Sequence, residues 1–236
     1  MDRVKLAVVI PTLNAEKTLA ATLKSLRPGQ TSGLVRDVIV ADGGSTDGTR
    51  HVARAFGARP MGATRGRGSQ LAAGARTVLT DRNLAVDWLL FLHGDTTLAG
   101  GWESEVTGFC DMPGNRERVA VFALGFDDQR SAARRMERIV SWRSRALGLP
   151  YGDQGLVIHR DFYNALGGFR ALPLMEDVDL VRRIGKRRLH VLDATATTSA
   201  KRYQRTGYTR RAALNLLCLS LYFLRVPPRL IARLYG

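Results

Sequence analysis

Short apolar runs alternate with helix-like segments through the first half of the chain. Val4–Ile10, Val35–Ala41 and Trp88–Leu92 are short, mostly apolar runs, the pattern of strands buried on both faces of a parallel sheet. Ala15–Leu26 places leucines at helical spacing, and Gly68–Leu79 is rich in alanine, so both segments favour helices. This alternation predicts βαβ units and a Rossmann-like α/β fold, with a mostly parallel central sheet flanked by helices.

Turn and cap residues mark where these elements end. Pro28 and Gly29 predict that the first helix stops near Leu26. Ser45 or Thr46 can cap a helix that follows the second strand, because a side-chain oxygen at that position satisfies a free backbone N–H.

The second half of the chain is less regular but continues the alternation. Val119–Phe126 and Leu156–His159 predict strands, and Arg130–Leu147 predicts a basic amphipathic helix between them. Asp161–Leu166 predicts a short helix, and a further helix begins at the Met175-Glu176-Asp177 segment. No internal repeat or low-complexity tract interrupts this pattern.

The last stretch of the chain combines apolar and basic residues. Ala212–Leu224 is an apolar run of thirteen residues, shorter than the roughly twenty that a membrane-spanning helix needs. We therefore expect one α/β domain over residues 1–205 and a helical appendage over residues 206–236 that is both basic and apolar.

The amino-acid composition indicates the class of protein and the cellular compartment in which we expect it. Apolar residues make up 45% and charged residues 24% of the 236 positions, as in ordinary globular proteins. Cys110 and Cys218 lie far apart and form no pair of the zinc-binding type, which argues against a disulfide scaffold and a structural zinc site. With no signal peptide visible at the start, we expect a cytoplasmic protein.

The net charge of +15 is concentrated late in the chain, where thirteen basic residues and one acid, Asp193, follow from Arg182 onward. Such a field attracts polyanions, including nucleic acid, anionic lipid and phosphorylated ligands. Nucleic acid is the least favoured partner, because the chain has no zinc-finger spacing and no basic heptads, and its aromatic residues do not interleave with the basic runs.

Polar side chains follow three of the predicted strands at the point where each strand ends. Thr12 and Asn14 follow the first strand, Asp42 ends the second, and Asp95 follows the run Trp88–Leu92. The carboxyl ends of parallel strands share one edge of the sheet, where ligands bind in α/β proteins. We therefore expect these side chains to surround one crevice.

Four motifs in order carry a family resemblance. VVIPTLNAEKTLAATLKSL, VIVADGGSTDGT, LLFLHGDTTL and MEDVDL resemble the family 2 glycosyltransferases of the GT-A fold, over about residues 4–200. Through FLHGDT, YGDQGL, PLMEDVDL and TSAKRYQRTG the chain is most similar to a bacterial subgroup, the radical-SAM/selenodomain-associated transferase 2 proteins, linked by name to arsenosugar biosynthesis. The resemblance implies an inverting transfer of a sugar from a nucleotide-sugar donor, by family default a UDP-sugar, to an unidentified acceptor.

The resemblance also implies which residues bind the donor nucleotide. Pro11, Thr12, Asn14 and Glu16 match the family's nucleotide-binding first loop, and Asp42 matches its base-contacting aspartate. The glycines after Asp42 let the backbone turn sharply and approach a ligand closely. The alternative is that these residues only turn the chain and cap the next helix.

His93 and Asp95 stand where the family usually has an Asp-x-Asp motif that holds a divalent cation. Mn²⁺ and Mg²⁺ prefer oxygen ligands and neutralise charge on a departing diphosphate. Because the first carboxylate is replaced by a histidine here, and Mn²⁺ tolerates imidazole better, the pair favours Mn²⁺ over Mg²⁺. Alternatively, His93 contacts ribose or phosphate and Asp95 alone binds the metal.

Acidic residues late in the chain match the family's catalytic pair. The resemblance assigns Asp177 as the general base, with Glu176 and Asp179 holding it or contacting the acceptor. Asp153 and Gln154, in a turn-like segment, are candidate acceptor-side contacts. Acidic enrichment in the first turn of a helix is the alternative explanation for the Glu-Asp-x-Asp pattern.

Arginines in two places suit the donor's phosphates. Arg65 and Arg67 precede a predicted helix, whose N-terminus would add to their attraction for an anion. Arg202 and Arg205 lie where many relatives carry a loop that closes over the donor pyrophosphate. A solvated basic face is the equal alternative for the second pair.

Other functions stay open from the sequence alone. A sugar-1-phosphate nucleotidyltransferase would share the fold, but its glycine-rich first loop is missing, since Pro-Thr-Leu-Asn follows the first strand. Because His93 replaces an expected aspartate, a second alternative is a catalytically inactive relative that binds a nucleotide or another anion. A basic, non-enzymatic binding module is the third alternative, supported only by the net charge.

The apolar run Ala212–Leu224 has two explanations. Arginines flank it on both sides, so it could lie in a membrane interface and place the protein peripherally at the inner face of the plasma membrane. Asn215, Cys218 and Ser220 dilute its apolar face, which favours packing against the catalytic domain or against a second copy in a homodimer.

Overall fold

The computed structural model describes residues 4–235, which form an eight-stranded sheet flanked by helices. The strands are β1 (Leu6–Thr12), β2 (Val35–Asp42), β3 (Arg59–Gly62), β4 (Trp88–Phe91), β5 (Thr96–Leu98), β6 (Val119–Phe126), β7 (Leu156–His159) and β8 (Leu189–Thr198). The helices are α1 (Glu16–Ser25), α2 (Arg27–Thr31), α3 (Thr49–Ala55), α4 (Arg67–Thr80), α5 (Trp102–Asp111), α6 (Ser131–Trp142), α7 (Arg160–Ala165), α8 (Glu176–Ile184), α9 (Lys201–Thr206), α10 (Tyr208–Phe223) and α11 (Pro228–Tyr235).

The strands lie in the order β3-β2-β1-β4-β7-β6-β8-β5. β3, β2, β1 and β4 are all parallel, as βαβ units require, and β6 and β8 are also parallel. β7 runs antiparallel between β4 and β6, and β5 runs antiparallel at the far edge. The expectation of an α/β fold with a mostly parallel sheet is therefore confirmed.

Each strand in the centre of the sheet divides its side chains between two apolar cores. In β1, Val8 and Ile10 point to one face, where they pack with Trp102 and other residues of α1 and α5. Ala7 and Val9 point to the opposite face and pack with residues of α4 and α8. Burial on both faces explains why these strands are continuous apolar runs in the sequence.

The expected end of the first helix near Leu26 is confirmed, since α1 ends at Ser25, whereas Pro28 and Gly29 lie inside the short helix α2. Proline is compatible with the first turn of a helix, where no intrahelical bond needs its missing N–H. Gly29 is buried, and a Cβ there would lie 2.7 Å from the Trp102 indole. This glycine allows α2 to approach α5 rather than ending a helix.

The longest strand, β8, has no counterpart among the expected elements. Its sequence LHVLDATATT alternates in burial, with Leu192, Ala194 and Ala196 turned inward. These inward side chains are mostly small, so the strand carries a weak hydrophobic signal although it pairs with both β6 and β5. The short strands β3 and β5 were likewise not expected, because three or four residues give too little pattern to detect.

The C-terminal helices α10 and α11 pack onto the start of α8. Cys218 and Leu219 of α10 and Ile231 of α11 are buried in one apolar cluster with Met175 and Val178. α10 also packs its first turn against α6, through Tyr208. Within residues 4–235, no helix is both long enough and apolar enough to cross a bilayer.

Two helix glycines offer a matched test of this packing. Gly74 in α4 is buried, and a methyl group there would overlap the Val9 side chain of β1, whereas Gly108 in α5 is exposed with nothing near its Cβ position. We expect Gly74→Ala to lower the free energy of unfolding by about 1–2 kcal/mol, because overpacking exceeds the gain in helix propensity. Gly108→Ala should raise it by up to about 1 kcal/mol.

Thermal unfolding of the two variants measures both effects, since about 1 kcal/mol corresponds to about 2–4 °C for a chain of this size. Equal stabilisation by the two substitutions would show that α4 does not approach β1 as closely as described.

Candidate active site

A cavity of about 490 Å³ opens at the carboxyl edge of the sheet, a volume suited to a ligand of nucleotide-sugar size. Its lining comes from the residues after β1 and β4, the first turns of α4 and α8, the turn at residues 151–153, and α9. The C-terminal helices α10 and α11 contribute further lining residues. The strand ends thus converge as expected for a parallel sheet.

A hydrogen-bonded platform lies beneath the cavity where β1 and β2 end. The Asp42 carboxylate is fully buried; it accepts a hydrogen bond from the Thr12 hydroxyl and pairs with Arg50 at 3.0 Å. Burial alone would raise the pKa of Asp42, but hydrogen bonds from Ser45, Thr12 and Arg50 hold that pKa below its ordinary value. Asp42 therefore stabilises the loop that lines the cavity and does not itself line it.

The first loop is held by side-chain bonds to the loop after β2. Asn14 has φ +51°, unusual for a residue other than glycine, and its side-chain oxygen accepts a hydrogen bond from the Thr46 N–H at 2.9 Å. Glu16 accepts from the Gly48 N–H, while its own N–H donates to Asp47. Asn14 lines the cavity, whereas Glu16 is exposed beside it.

An ion pair between a half-buried arginine and a buried glutamate connects the two halves of the site. Arg67 Nε, at the start of α4, lies 2.9 Å from Glu176 Oε1, at the start of α8. Burial raises the pKa of the Glu176 carboxyl, and the Arg67 charge opposes that rise. One nitrogen of the Arg67 guanidinium therefore faces a carboxylate within the protein, while Arg67 also lines the cavity, so its expected role toward the donor phosphates stays a prediction.

His93 lies on the other side of the same arginine. Its Nε2 is 3.3 Å from an Arg67 nitrogen. Burial, together with the charges of Arg67 and Arg202, lowers the pKa of His93 well below its ordinary value. The imidazole is therefore neutral near pH 7 and can act as a hydrogen-bond partner or a metal ligand.

Asp95 lines the cavity opposite the acidic start of α8. Desolvation raises the pKa of its carboxyl, and the nearby Arg202 charge lowers it. Arg202 and Lys201, at the start of α9, also line the cavity. This side therefore combines one carboxylate with two cations, a charge balance that suits a diphosphate.

Asp177 is the accessible carboxylate of the Glu-Asp-x-Asp segment. It lines the cavity and is half-buried; one carboxylate oxygen accepts from the Gly152 N–H and the other from the Val178 N–H, each at 2.7 Å. Asp179, by contrast, is buried and pairs with Arg183 at 2.6 Å, outside the cavity.

Gly152 permits a close approach at the centre of the site. A Cβ at this position would lie 3.0 Å from His93 Nε2 and 3.3 Å from Asp177 Oδ2. Both side chains are therefore packed against the same turn, and a larger residue at position 152 would displace one of them.

The turn that contains Gly152 contributes one carboxylate to the cavity and buries one amide. Burial raises the pKa of Asp153 to about 6, with the Arg143 charge opposing the rise. The Gln154 side chain is buried; it accepts from Ser144 and donates to the Phe122 carbonyl. Gln154 therefore fixes the turn, and of these two side chains Asp153 is the one that lines the cavity.

The structure thus brings most, but not all, of the expected site residues together. Those that line the cavity are Pro11, Thr12, Asn14, Arg67, His93, Asp95, Asp153, Glu176, Asp177 and Arg202. Those that lie outside its lining are Glu16, Asp42, Arg65, Gln154, Asp179 and Arg205. Arg65 and Arg205 are exposed at the surface.

Several lining or supporting residues were not expected from the sequence. Gln70 donates from its amide to the Thr12 and Ala41 carbonyls, at 2.7 Å each, and so joins the ends of β1 and β2. A polar residue within the apolar stripe of α4 was the available signal for it. Arg211, Asn215 and Tyr235 enter the cavity from α10 and α11, and no local motif marks them.

The residues present fit a divalent cation bound mainly through a ligand's phosphates. No other side chain within the described residues bonds or pairs with the Asp95 carboxylate, and the neutral His93 lies two residues away. Within residues 4–235, no three His, Cys, Asp or Glu side chains form a complete cage. Mg²⁺ and Mn²⁺ are commonly held by one or two carboxylates plus substrate phosphates, which matches this set.

Sequence comparison identifies a family over most of the α/β domain. Residues 7–165 match the profile of Glycosyl transferase family 2. The succinoglycan biosynthesis protein ExoA of Rhizobium meliloti (strain 1021) is 51% identical over 47 residues, which are 20% of this chain and 14% of that protein. The match therefore spans only a small part of that curated relative.

Solved structures share the fold at low sequence identity. Glucosyl-3-phosphoglycerate synthase from Mycobacterium tuberculosis, solved with Mn²⁺, UDP and glucosyl-3-phosphoglycerate, has a TM-score of 0.58 and 20% identity, covering 90% of this chain and 78% of that one. S. aureus TarS 1-349 in complex with UDP-GlcNAc has a TM-score of 0.62 and 16% identity, covering 98% and 70%. These likenesses confirm the GT-A fold.

The raised pKa of Asp153 predicts a pH-dependent cost to stability. Between the unfolded value of 3.8 and the folded value of about 6, the unfolded chain has lost a proton that the folded protein keeps, so stability falls as pH rises. We expect Asp153→Asn to raise stability at pH 8 by about 1 kcal/mol, after allowing for solvent screening at this half-buried position, and to have no such effect at pH 4.

Thermal melts at the two pH values, without added metal, measure this difference as about 2–4 °C at pH 8. Asp193→Asn, at a carboxylate that is 92% exposed, serves as the control. An equal effect of Asp153→Asn at both pH values would contradict a raised pKa at this site.

Proposed function

The chain belongs to Glycosyl transferase family 2, and from this premise we propose that it is an inverting glycosyltransferase that moves a sugar from a UDP-sugar to an acceptor hydroxyl. We further propose that it belongs to the radical-SAM/selenodomain-associated transferase 2 subgroup, on the strength of FLHGDT, YGDQGL, PLMEDVDL and TSAKRYQRTG. The donor preference draws support from the fold shared with enzymes solved with UDP and UDP-GlcNAc.

One observation carries the proposal. Asp177 and Asp95 line a single cavity of about 490 Å³, and Asp177 is the one accessible carboxylate of its segment. A single-displacement transfer needs one carboxylate as proton acceptor and a separate group near the departing diphosphate. The arrangement supplies both within one ligand-sized space.

In this proposal Asp177 accepts the proton of the acceptor hydroxyl while that oxygen bonds to the anomeric carbon. The bond between the anomeric carbon and the donor phosphate oxygen breaks, and the nucleoside diphosphate leaves with that electron pair. The Gly152 and Val178 N–H groups hold both oxygens of the Asp177 carboxylate, each at 2.7 Å. This fixed orientation aims the base at the acceptor before the reaction starts.

Arg67 acts in this scheme as a positioning residue. Its ion pair with Glu176 fixes the first residue of α8, and therefore the direction in which Asp177 projects. Lys201 and Arg202 are the cations that this scheme assigns to the donor diphosphate, since both line the cavity and the Arg202 charge acts on Asp95. Positive charge at that point stabilises the leaving group as its bond breaks.

We propose that Asp95, with His93 as a second contact, would hold a divalent cation against the donor phosphates. The bound cation would neutralise charge on the departing diphosphate. The neutral imidazole of His93 is compatible with Mn²⁺, whereas a histidine is a poor ligand for Mg²⁺.

We also propose that residues 206–236 form an appendage to a catalytic domain at residues 1–205. The appendage supplies the acceptor-side wall of the cavity through Arg211 and Asn215 of α10 and Tyr235 of α11. The Arg211 guanidinium stacks 4.1 Å from the centre of the Tyr235 ring, so the two helices hold this wall together.

Two substitutions separate proton transfer from donor binding. Asp177→Asn should lower the turnover number by about 10²–10⁴-fold and leave metal-dependent nucleotide binding near normal, because it removes a proton acceptor and not a phosphate contact. Asp95→Ala should weaken nucleotide binding and abolish its response to Mn²⁺. UDP release from the donor and calorimetric titration of UDP with and without Mn²⁺ measure the two quantities.

Asp193→Asn is the matched control, since this exposed carboxylate lies outside the cavity. Near-normal turnover by Asp177→Asn would show that another group is the base. Unchanged Mn²⁺-dependent binding by Asp95→Ala would remove Asp95 from the metal site.

A further inference from the structure

The outward stripe of α10 is apolar, the reverse of an ordinary surface helix. After the exposed Thr209 and Arg210 of the first turn, the exposed positions of the helix recur at helical spacing and are Ala213, Leu216, Leu217, Ser220 and Phe223, followed by Leu224 just beyond its end. Leu216 is 63% exposed and Leu224 is 74% exposed. Large apolar side chains aligned along one exposed stripe mark a contact surface rather than a chance distribution.

The neighbouring helix α11 alternates leucine and arginine on its exposed side. Leu230 and Leu234 are 47% and 58% exposed, and Arg229 and Arg233 are exposed beside them. Arg225, between the two helices, is also exposed. We call the outward stripes of α10 and α11, together with Arg225, the C-terminal face.

The sides of α10 and α11 that face away from the exposed stripes are buried and hold both helices in place. Cys218 and Leu219 of α10 and Ile231 of α11 are buried in one cluster with Met175 and Val178. Because both helices bury into the same cluster, their unburied stripes point outward from it. The exposed leucines therefore add nothing to the packing of the described chain.

The C-terminal face carries positive charge without an internal counter-charge. From Ala194 to the end the sequence contains eight basic residues and no acidic residue. Within the part of the chain that the structure describes, Arg225, Arg229 and Arg233 form no ion pair. Their charges are free to meet an external anion.

This charge distinguishes between two occupants of the apolar surface. A symmetric contact with a second copy would bring two positively charged faces together with no acidic residue on either, and like charges would oppose it. An anionic bilayer matches both features, because its acyl region accepts leucines and its headgroups pair with arginines. At sixteen residues, α10 is too short to span a bilayer and is suited to lie along the interface.

We propose that the C-terminal face docks the protein onto an anionic membrane surface, with α10 and α11 lying in the plane of the interface. This inference does not depend on the proposed reaction. Because α10 also carries Arg211 and Asn215 into the cavity, docking would place the acceptor-side wall next to the headgroups.

Co-sedimentation with lipid vesicles tests the proposal on the full chain. We expect binding to vesicles of phosphatidylglycerol and phosphatidylcholine at low salt, release as salt screens the arginines, and little binding to phosphatidylcholine alone. Arg225→Ser/Arg229→Ser/Arg233→Ser should weaken the partition coefficient by about 100-fold, because each arginine near an anionic surface contributes about fivefold.

A charge-matched control separates docking from net charge. Arg36→Ser/Arg54→Ser/Arg82→Ser removes three exposed arginines from the part of the chain that precedes β4, and it should change binding far less. Leu216→Gln/Leu224→Gln tests the apolar contribution at positions where folding loses no packing, and it should also weaken binding. Thermal melting confirms that each variant folds.

Three results would overturn the proposal. The first is the absence of binding to anionic vesicles at low salt, and the second is an equal loss of binding in the two arginine triples. The third is a concentration-dependent dimer in sedimentation equilibrium without lipid that Leu216→Gln/Leu224→Gln dissociates, since the apolar stripe would then be occupied by a second copy.

Discussion

The ion pair between Arg67 and Glu176 joins the first residues of two helices, α4 and α8, that lie far apart in the sequence. Arg67 Nε, at the start of α4, lies 2.9 Å from Glu176 Oε1, at the start of α8, and the Glu176 side chain is only 2% exposed. Removing Arg67 would leave the buried Glu176 carboxylate without its counter-charge, which is more costly than losing a surface pair. Together with the apolar packing between α4 and α8, this contact holds the start of α8 and thereby orients Asp177.

Residues around the same cavity have strained backbone conformations and a buried carboxyl group, both of which lower the stability of a fold. Asn14 and Met175 adopt φ values of +51° and +67°, and both line the cavity. Asp153 keeps a carboxyl whose pKa burial raises to about 6. Strained backbone conformations and carboxyl groups with shifted pKa values cluster at functional sites in proteins. Here they surround one ligand-sized cavity.

The fold, and the sheet edge at which the site lies, could be predicted because both depend on the local pattern of apolar and polar residues. Apolar runs marked the central strands, and polar residues after them placed Thr12, Asn14 and Asp95 at one sheet edge. What sequence pattern did not reveal depends on partners distant in sequence. No local signal showed that Glu176 would lie beside Arg67 or that Arg211 would line the cavity.

The central claim is that the cavity holds a nucleotide sugar together with a divalent cation. Thermal melting with UDP-, GDP- and dTDP-sugars, each with and without Mn²⁺, tests it most directly, because a ligand that binds only the folded protein raises its melting temperature. The account predicts that a UDP-sugar with Mn²⁺ at about 100 times its dissociation constant adds about 2.7 kcal/mol, or roughly 5–10 °C, and that omitting Mn²⁺ reduces the shift. No shift with any nucleotide sugar, with or without Mn²⁺, would contradict it.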